Sequence, residues 1–293
     1  MPSNTGRLPT YRRVTDPPAM HFTRRDGRIL EAIHACDGML GDYQIRRMFF
    51  TGERQCRGRL SLLFQHGYLA RPDRRLRASL ACMVYWLDRR GAEYVAGLSG
   101  SPVEAMGWRR EPRWSQVEHD LAVNDFRLDV MEACARRPGF ALEEWIPEGE
   151  FLARPDTVSV PRAERRQGKR QVRPDGFCVI RQGAYRSRLL LELDRATEDN
   201  PRFARQKVLP GIAYLRSDAY KRRFGYGSGR WLVVTTSQRR LRNMKAQAER
   251  AAGEQARVFY FTTSDVITPE TVLTAPIWFR GAGPERVGLF RDA

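Results

Sequence analysis

Apolar residues recur at helical spacing in the first third of the chain, and the pattern then shortens into β-rich runs. Thr23 stands as N-cap before a stripe of Ile29, Leu30 and Ile33, which Gly38 and Gly41 break. A second helix is predicted over Asp42–Phe50 from Tyr43, Ile45, Met48 and Phe49. After the Thr51-Gly52 turn, a third runs over Glu53–His66 with Cys56, Leu60, Leu63 and Phe64 facing inward. Its outer face carries Arg54, Gln55, Arg57 and Arg59. Gly67–Ala70 reads as a strand, Arg71–Arg77 as a basic turn, Cys82–Leu87 as the returning strand and Asp88–Leu98 as a further helix. Three helices followed by a basic hairpin is the order of a winged helix-turn-helix. Such a domain sets its third helix in the major groove and its wing, here Arg71, Arg74, Arg75 and Arg77, on phosphate.

A different rhythm governs the rest. Trp114–Arg136 is a long amphipathic helix, Phe140–Ile146 a strand, and Arg154–Arg173 a loop dense in Arg162, Arg165, Arg166, Lys169 and Arg170. Two apolar runs, Phe177–Ile180 and Leu189–Leu193, flank a basic turn and predict a hairpin. Asn200 caps, and Pro201 opens, a helix reaching Arg216 with a kink at Pro210. Trp231–Thr235, Gln238–Ala251 and Val258–Thr262 then give strand, helix and strand. The predicted class is α+β: a flexible basic arm (1–20), a winged helix (21–98), a linker (99–112) and an αβββαβ core (113–293).

The chemistry concentrates where an apolar strand ends in acids. Glu192 and Asp194 are two apart and share one face, while Leu191 and Leu193 take the other. Asp175 opens the preceding strand beside them. Three carboxylates converging at sheet level repel one another, an arrangement that a divalent cation compensates. Lysines are only four of the 51 basic residues, and Lys207 shares a helical stripe with Phe203, Gly211 and Tyr214, which turns it toward the sheet.

Net charge sharpens the picture. The chain has 293 residues and a formal charge of +17, with a pI near 10.4. Such a field favours a polyanion, nucleic acid or anionic membrane. No apolar stretch approaches the ~18 residues of a membrane span, and no signal-peptide core follows Met1. Double-stranded DNA therefore stands as the expected partner and the cytoplasm as the expected compartment. The five cysteines are odd in number and widely spaced, and the four histidines lack ligand spacing, so neither disulfides nor zinc are indicated.

Pro174-Asp175 and Glu192-x-Asp194 resemble the PD-(D/E)XK nuclease superfamily and its restriction-endonuclease-like core, with one departure: Asp194 stands where that superfamily places Lys. Lys207, on the following helix, is the candidate replacement. A closer resemblance lies in Glu118-His119-Asp120-Leu121-Ala122-Val123-Asn124-Asp125, taken with Glu192-Leu193-Asp194-Arg195-Ala196-Thr197. Together these are similar to the replication-relaxation family, which includes MobC-type relaxases. That resemblance implies a metal-dependent nick without a covalent link. Mg²⁺ or Mn²⁺ would lie on Asp175, Glu192 and the Leu193 carbonyl, with Lys207 stabilising phosphate charge. Asp194 is then a further ligand or a partner for Lys207. His119 either packs its helix or acts as a base or metal partner. A homodimer is allowed. The rival reading is a regulator of transcription or replication that uses the nuclease fold as a scaffold.

Overall fold

The computed structural model describes residues 8–161, 167–195 and 203–291. Outside the described residues lie the first seven positions of the expected arm, Arg162, Arg165 and Arg166 of the basic run, Thr197, and the expected cap Asn200-Pro201. The chain forms two compact units, Met1–Asn124 and Asp125–Ala293.

In the first unit, Thr23 opens α1 (Arg24–Ala35) through a capping box: its hydroxyl accepts the Asp26 N–H, and the Asp26 carboxylate accepts the Thr23 N–H at 2.7 Å. There follow β1 (Met39–Gly41), α2 (Asp42–Phe49), α3 (Glu53–Gln65), β2 (Leu69–Ala70), α4 (Arg74–Arg77), β3 (Val84–Leu87) and α5 (Arg89–Ser99). The strands form one antiparallel sheet in the order β1-β3-β2. Ile29, Leu30, Ile33, Leu40, Ile45, Leu60 and Leu63 are fully buried in its core. Each contributes about 1.5–3 kcal/mol by leaving water.

Two features depart from the sequence pattern. Gly38 does end α1, at φ +92°, but the chain beyond it pairs as β1 with β3 and does not stay irregular. The basic turn holds the short helix α4, capped by Asp73.

Residues 8–20 lack regular structure, yet they are fixed. Arg13 donates to the Phe64 and Leu69 carbonyls at 2.7 and 3.1 Å, and Gln65 donates to the Pro9 and Arg12 carbonyls. The stretch 99–112 is also tied down, with Trp108 donating to the Leu87 carbonyl and Trp86 to that of Arg110. The long helix α6 (Val117–Arg136) opens in this unit. Its Val117 and Leu121 pack with Met39, Val84 and Trp86. Gln44 donates to the Leu121 carbonyl at 2.9 Å, and Asn124 to that of Met39 at 3.0 Å.

The second unit continues with β4 (Phe140–Pro147), α7 (Glu148–Ala153), β5 (Asp156–Pro161), β6 (Gln167–Val172), β7 (Gly176–Gln182) and β8 (Tyr185–Leu193). Then come α8 (Leu209–Leu215), α9 (Asp218–Phe224), β9 (Arg230–Thr235), α10 (Gln238–Ala252), β10 (Phe259–Thr263), β11 (Trp278–Arg280) and β12 (Arg286–Val287). Seven strands form one sheet, β12-β11-β10-β9-β8-β7-β4, parallel at its centre (β8-β9-β10) and antiparallel toward both edges. On one face Phe177, Val179, Leu190, Trp231 and Val233 pack with Phe203, Ile212, Leu241 and Met244. Leu189, Leu191 and Leu193 are buried on the other.

The stretch 154–173 is a correction to the expected loop. Val158, Val160 and Val172 alternate into the core, and β5 pairs with β6 as a separate two-stranded ladder. The helix expected through Arg216 is also not uniform, because Ala204–Val208 is a π-helical turn ahead of α8. Pro210 supplies the reason: it has no N–H for the carbonyl four residues back, and its ring crowds that carbonyl, so the turn before it widens. Among the described residues no helix is long and apolar enough to cross a membrane.

Candidate functional site

Asp175, Glu192, Asp194 and Lys207 meet at one end of the seven-stranded sheet. β8 and β9 are parallel, so Glu192, Asp194 and Thr235 all stand at carboxyl ends, where ligands of open α/β sheets usually bind. β7 runs the other way and delivers Asp175 to the same end. The Asp175 N–H donates to the Leu191 carbonyl at 2.9 Å, and its carboxylate accepts the Leu193 N–H at 2.6 Å. Those two bonds fix Asp175 alongside Glu192. All three carboxylates are buried, at 6–8% exposure.

Lys207 reaches this group as its stripe predicted. Its Nζ lies 2.7 Å from Glu192 Oε1 and 2.8 Å from Oε2. The packing behind it is close: a Cβ on Gly211 would stand 3.0 Å from Trp231 Nε1 and 3.1 Å from Phe259. That close approach, which a larger residue would make only by pushing Trp231 or Phe259 aside, seats α8 on β9 and sets the preceding turn over Glu192.

Asp194 is occupied differently from either expected role. Arg240, on the first turn of α10, grips it through both Nε and Nη2, the latter at 2.7 Å from Oδ1. Thr235 donates its hydroxyl to Oδ2 at 2.7 Å, and the Asp194 N–H donates to the Val234 carbonyl. A bidentate guanidinium plus a hydroxyl closes this carboxylate. The pairing of Asp194 with Lys207 is therefore corrected to a pairing with Arg240. Sequence reading missed Arg240 and Thr235. The available signal was Ser237, an N-cap directly after a buried strand, which places Arg240 at the inward first turn.

A divalent cation suits part of this donor set. Asp175 and Glu192 offer hard oxygens side by side, and Mg²⁺ commonly takes only one or two carboxylates, completing its shell with water and phosphate. Among the described residues no group of three or more His, Cys, Asp or Glu side chains is arranged to hold a metal ion. His119 lies half-buried on α6 in the first unit. All five cysteines are free, four of them buried and Cys82 half-buried, and burial pushes Cys56 and Cys134 up to about 11.

The arginines of the first unit separate into two sets. Arg54, Gln55 and Arg57 are exposed on α3, Arg57 being paired with Glu53, and Arg74 and Arg75 are exposed on α4. Arg59 is withdrawn from the outer face: its Nε donates to buried Asp26 at 2.7 Å, and its Nη2 to the His21 carbonyl at 2.6 Å. Arg71 stacks over Phe64 at 4.0 Å and donates to the Pro9 carbonyl, and Arg77 donates to the Leu80 carbonyl. Arg54, Arg57, Ser61, Arg71, Arg77 and Tyr11 line a groove of about 830 Å³.

These units define an α+β protein with an arginine-lined groove and a carboxylate–lysine cluster at a sheet end. The replication-relaxation family model matches residues 30–226, two thirds of the chain, and the protein belongs to that family. Membership points to a role in plasmid or mobile-element replication. No curated protein and no solved structure is significantly similar to the chain.

Proposed function

We propose that the protein binds duplex DNA through its first unit and nicks one strand at the carboxylate–lysine cluster of its second. The observation that carries this reading is the Lys207 ammonium within 2.8 Å of Glu192, next to Asp175, at the carboxyl ends of parallel strands. It supports a PD-(D/E)XK-like site whose lysine has moved from position 194 to the following helix. The order of α1, α2, α3 and the β2–β3 hairpin supports a winged helix, with Arg54, Gln55 and Arg57 toward the bases and Arg74 and Arg75 toward phosphate.

In the reaction Asp175 and Glu192, with the Leu193 carbonyl, would hold Mg²⁺ or Mn²⁺. A bound divalent ion supplies Lewis acidity and lowers the pKa of water. Lys207 places a positive charge where the leaving and non-bridging phosphate oxygens gain negative charge. Leu193, through its N–H, orients the Asp175 carboxylate. Arg240 and Thr235 hold the end of β8 in register with β9 through Asp194. No sequence motif supplies a tyrosine or serine nucleophile, so the expected product is a hydrolysed strand, as in a MobC-like relaxase acting without a covalent intermediate.

The test is Mg²⁺- or Mn²⁺-dependent conversion of supercoiled plasmid, carrying the DNA that flanks the protein's own coding sequence, to open circles. Asp194 favours a second reading, a replication or transcription regulator on a nuclease-like scaffold. Its closure by Arg240 leaves the usual lysine position filled by a structural pair. Sequence-specific binding with no nicking in either metal supports that alternative and rejects the first.

A further inference from the structure

The basic run ahead of Asp175 plays no part in the contacts above. In the β5–β6 ladder Val158 stands opposite Arg170, Ser159 opposite Lys169 and Thr157 opposite Gln171. One side is core: Val158, Val160 and Val172 are buried beside Ile212 and Tyr214. The other side, Thr157, Ser159, Lys169 and Gln171, is exposed, as are Arg170 and Arg173. The ladder's carboxylate, Asp156, is consumed from within, accepting from Tyr214 Oη and Arg223 Nε at 2.5 Å each. Lys169 and Arg170 make no ion pair among the described residues.

Position and spacing give this face a use. β6 ends at Val172, and Arg173 and Pro174 link it to Asp175 just ahead of β7, so the exposed cations stand within six residues of a carboxylate of the cluster. Outward residues of a strand recur at about 6.7 Å. A duplex carries one phosphate per strand for about every 3.4 Å of axis, so a row of outward cations faces a dense line of negative charge. Exposed hydroxyl and amide groups between cations are the usual company of a phosphate backbone.

We propose that the outward face of the β5–β6 hairpin, centred on Lys169 and on Arg173, which reaches back to Gln171, is a second duplex-DNA surface that lays the sugar-phosphate backbone toward Asp175 and Glu192. It rests on the reading that the second unit acts on DNA, and it adds contacts made by neither the first unit nor the carboxylate site. Residues 162–166 lie outside the described residues and form no part of it.

The test uses the full chain. Affinity for a fluorescent duplex is measured by anisotropy across a salt series for the wild type and two double variants. The first is Lys169→Gln/Arg173→Gln. The second, Arg257→Gln/Arg280→Gln, removes equal charge from exposed positions at the opposite end of the sheet. Losing two phosphate contacts should make the slope of log K against log salt shallower by roughly 2 and cost about tenfold in affinity for the hairpin variant alone. Equal losses in the two variants reduce the effect to net charge and overturn the proposal, as does wild-type affinity in the hairpin variant. A selective binding loss in a protein that never nicks keeps the hairpin surface and rejects the nuclease reading, so the two can fail separately.

Discussion

Asp26 in the first unit and Glu192 in the second are both buried carboxylates with a cation nitrogen at 2.7 Å, yet their surroundings differ. Asp26 is wholly enclosed, gripped by a planar guanidinium and by the amide and hydroxyl of Thr23 at a helix N-terminus. Glu192 is held by an ammonium on a flexible stem, beside Asp175 and two residues from Asp194. A bidentate arginine fits its partner as a fixture, whereas a lysine is a point charge that moves and titrates readily. Partner identity and neighbouring carboxylates thus separate a structural knot from the proposed site when distance alone does not.

Substitutions can break this contrast. Glu192→Gln or Asp175→Asn should lower nicking on the order of 10³-fold, the scale of losing a group that acts on the reacting phosphate. DNA affinity and the circular dichroism spectrum should stay unchanged. Wild-type rates of open-circle formation in either variant would move the site elsewhere.

Stability should divide the other way. Arg59→Ala strands the Asp26 charge in the core and should cost about 3–5 kcal/mol in denaturant unfolding. Lys207→Met breaks a pair more open to solvent than Arg59–Asp26 and should destabilise less, while its nicking falls steeply. Equal destabilisation by the two substitutions would reduce the cluster to another structural pair.

Acid sharpens the comparison further. Burial raises the Asp26 pKa, but the bonds from Arg59 and Thr23 outweigh it and hold the carboxyl below its ordinary value of 3.8. A lowered folded pKa means that Asp26 stabilises above the unfolded value, and that this contribution disappears as pH falls through the folded one. The stability gap between wild type and Asp26→Asn should therefore be constant above pH 3.8 and shrink below it. A gap that widens on acidification contradicts the assignment. The smallest effect belongs to the cap. Thr23→Ala should cost about 1 kcal/mol, read as a lower midpoint at unchanged slope.

Much of this was legible where one period dominates locally. Thr23 announced α1, the i, i+2 spacing put Glu192 and Asp194 on one face, and the Phe203–Lys207–Gly211 stripe turned Lys207 inward. The rest depended on partners distant in sequence. Arg240 is 46 residues from the carboxylate it closes, and nothing near Asp194 signals it. The β5–β6 ladder was hidden because the charge run between Val160 and Val172 reads as a solvated loop. Likewise β1, β11 and β12 have two or three residues each, too few for a period to show, and exist because neighbouring strands pair with them.

The π-helical turn at Ala204–Val208 makes chain length itself a control on the site. Gly211 seats α8 against Trp231, so a residue lost from the turn cannot be absorbed downstream. The mismatch must appear upstream, where each residue of an α-helix advances about 100°. Deleting Val208 should let the turn close to α-helical pitch and swing Lys207 off Glu192 with no ligand substituted. Insertions and deletions here would retune the centre in steps of a whole residue, coarser than any side-chain exchange. A chain with both carboxylates in place could thus gain or shed the lysine contact by shifting frame within one turn of helix.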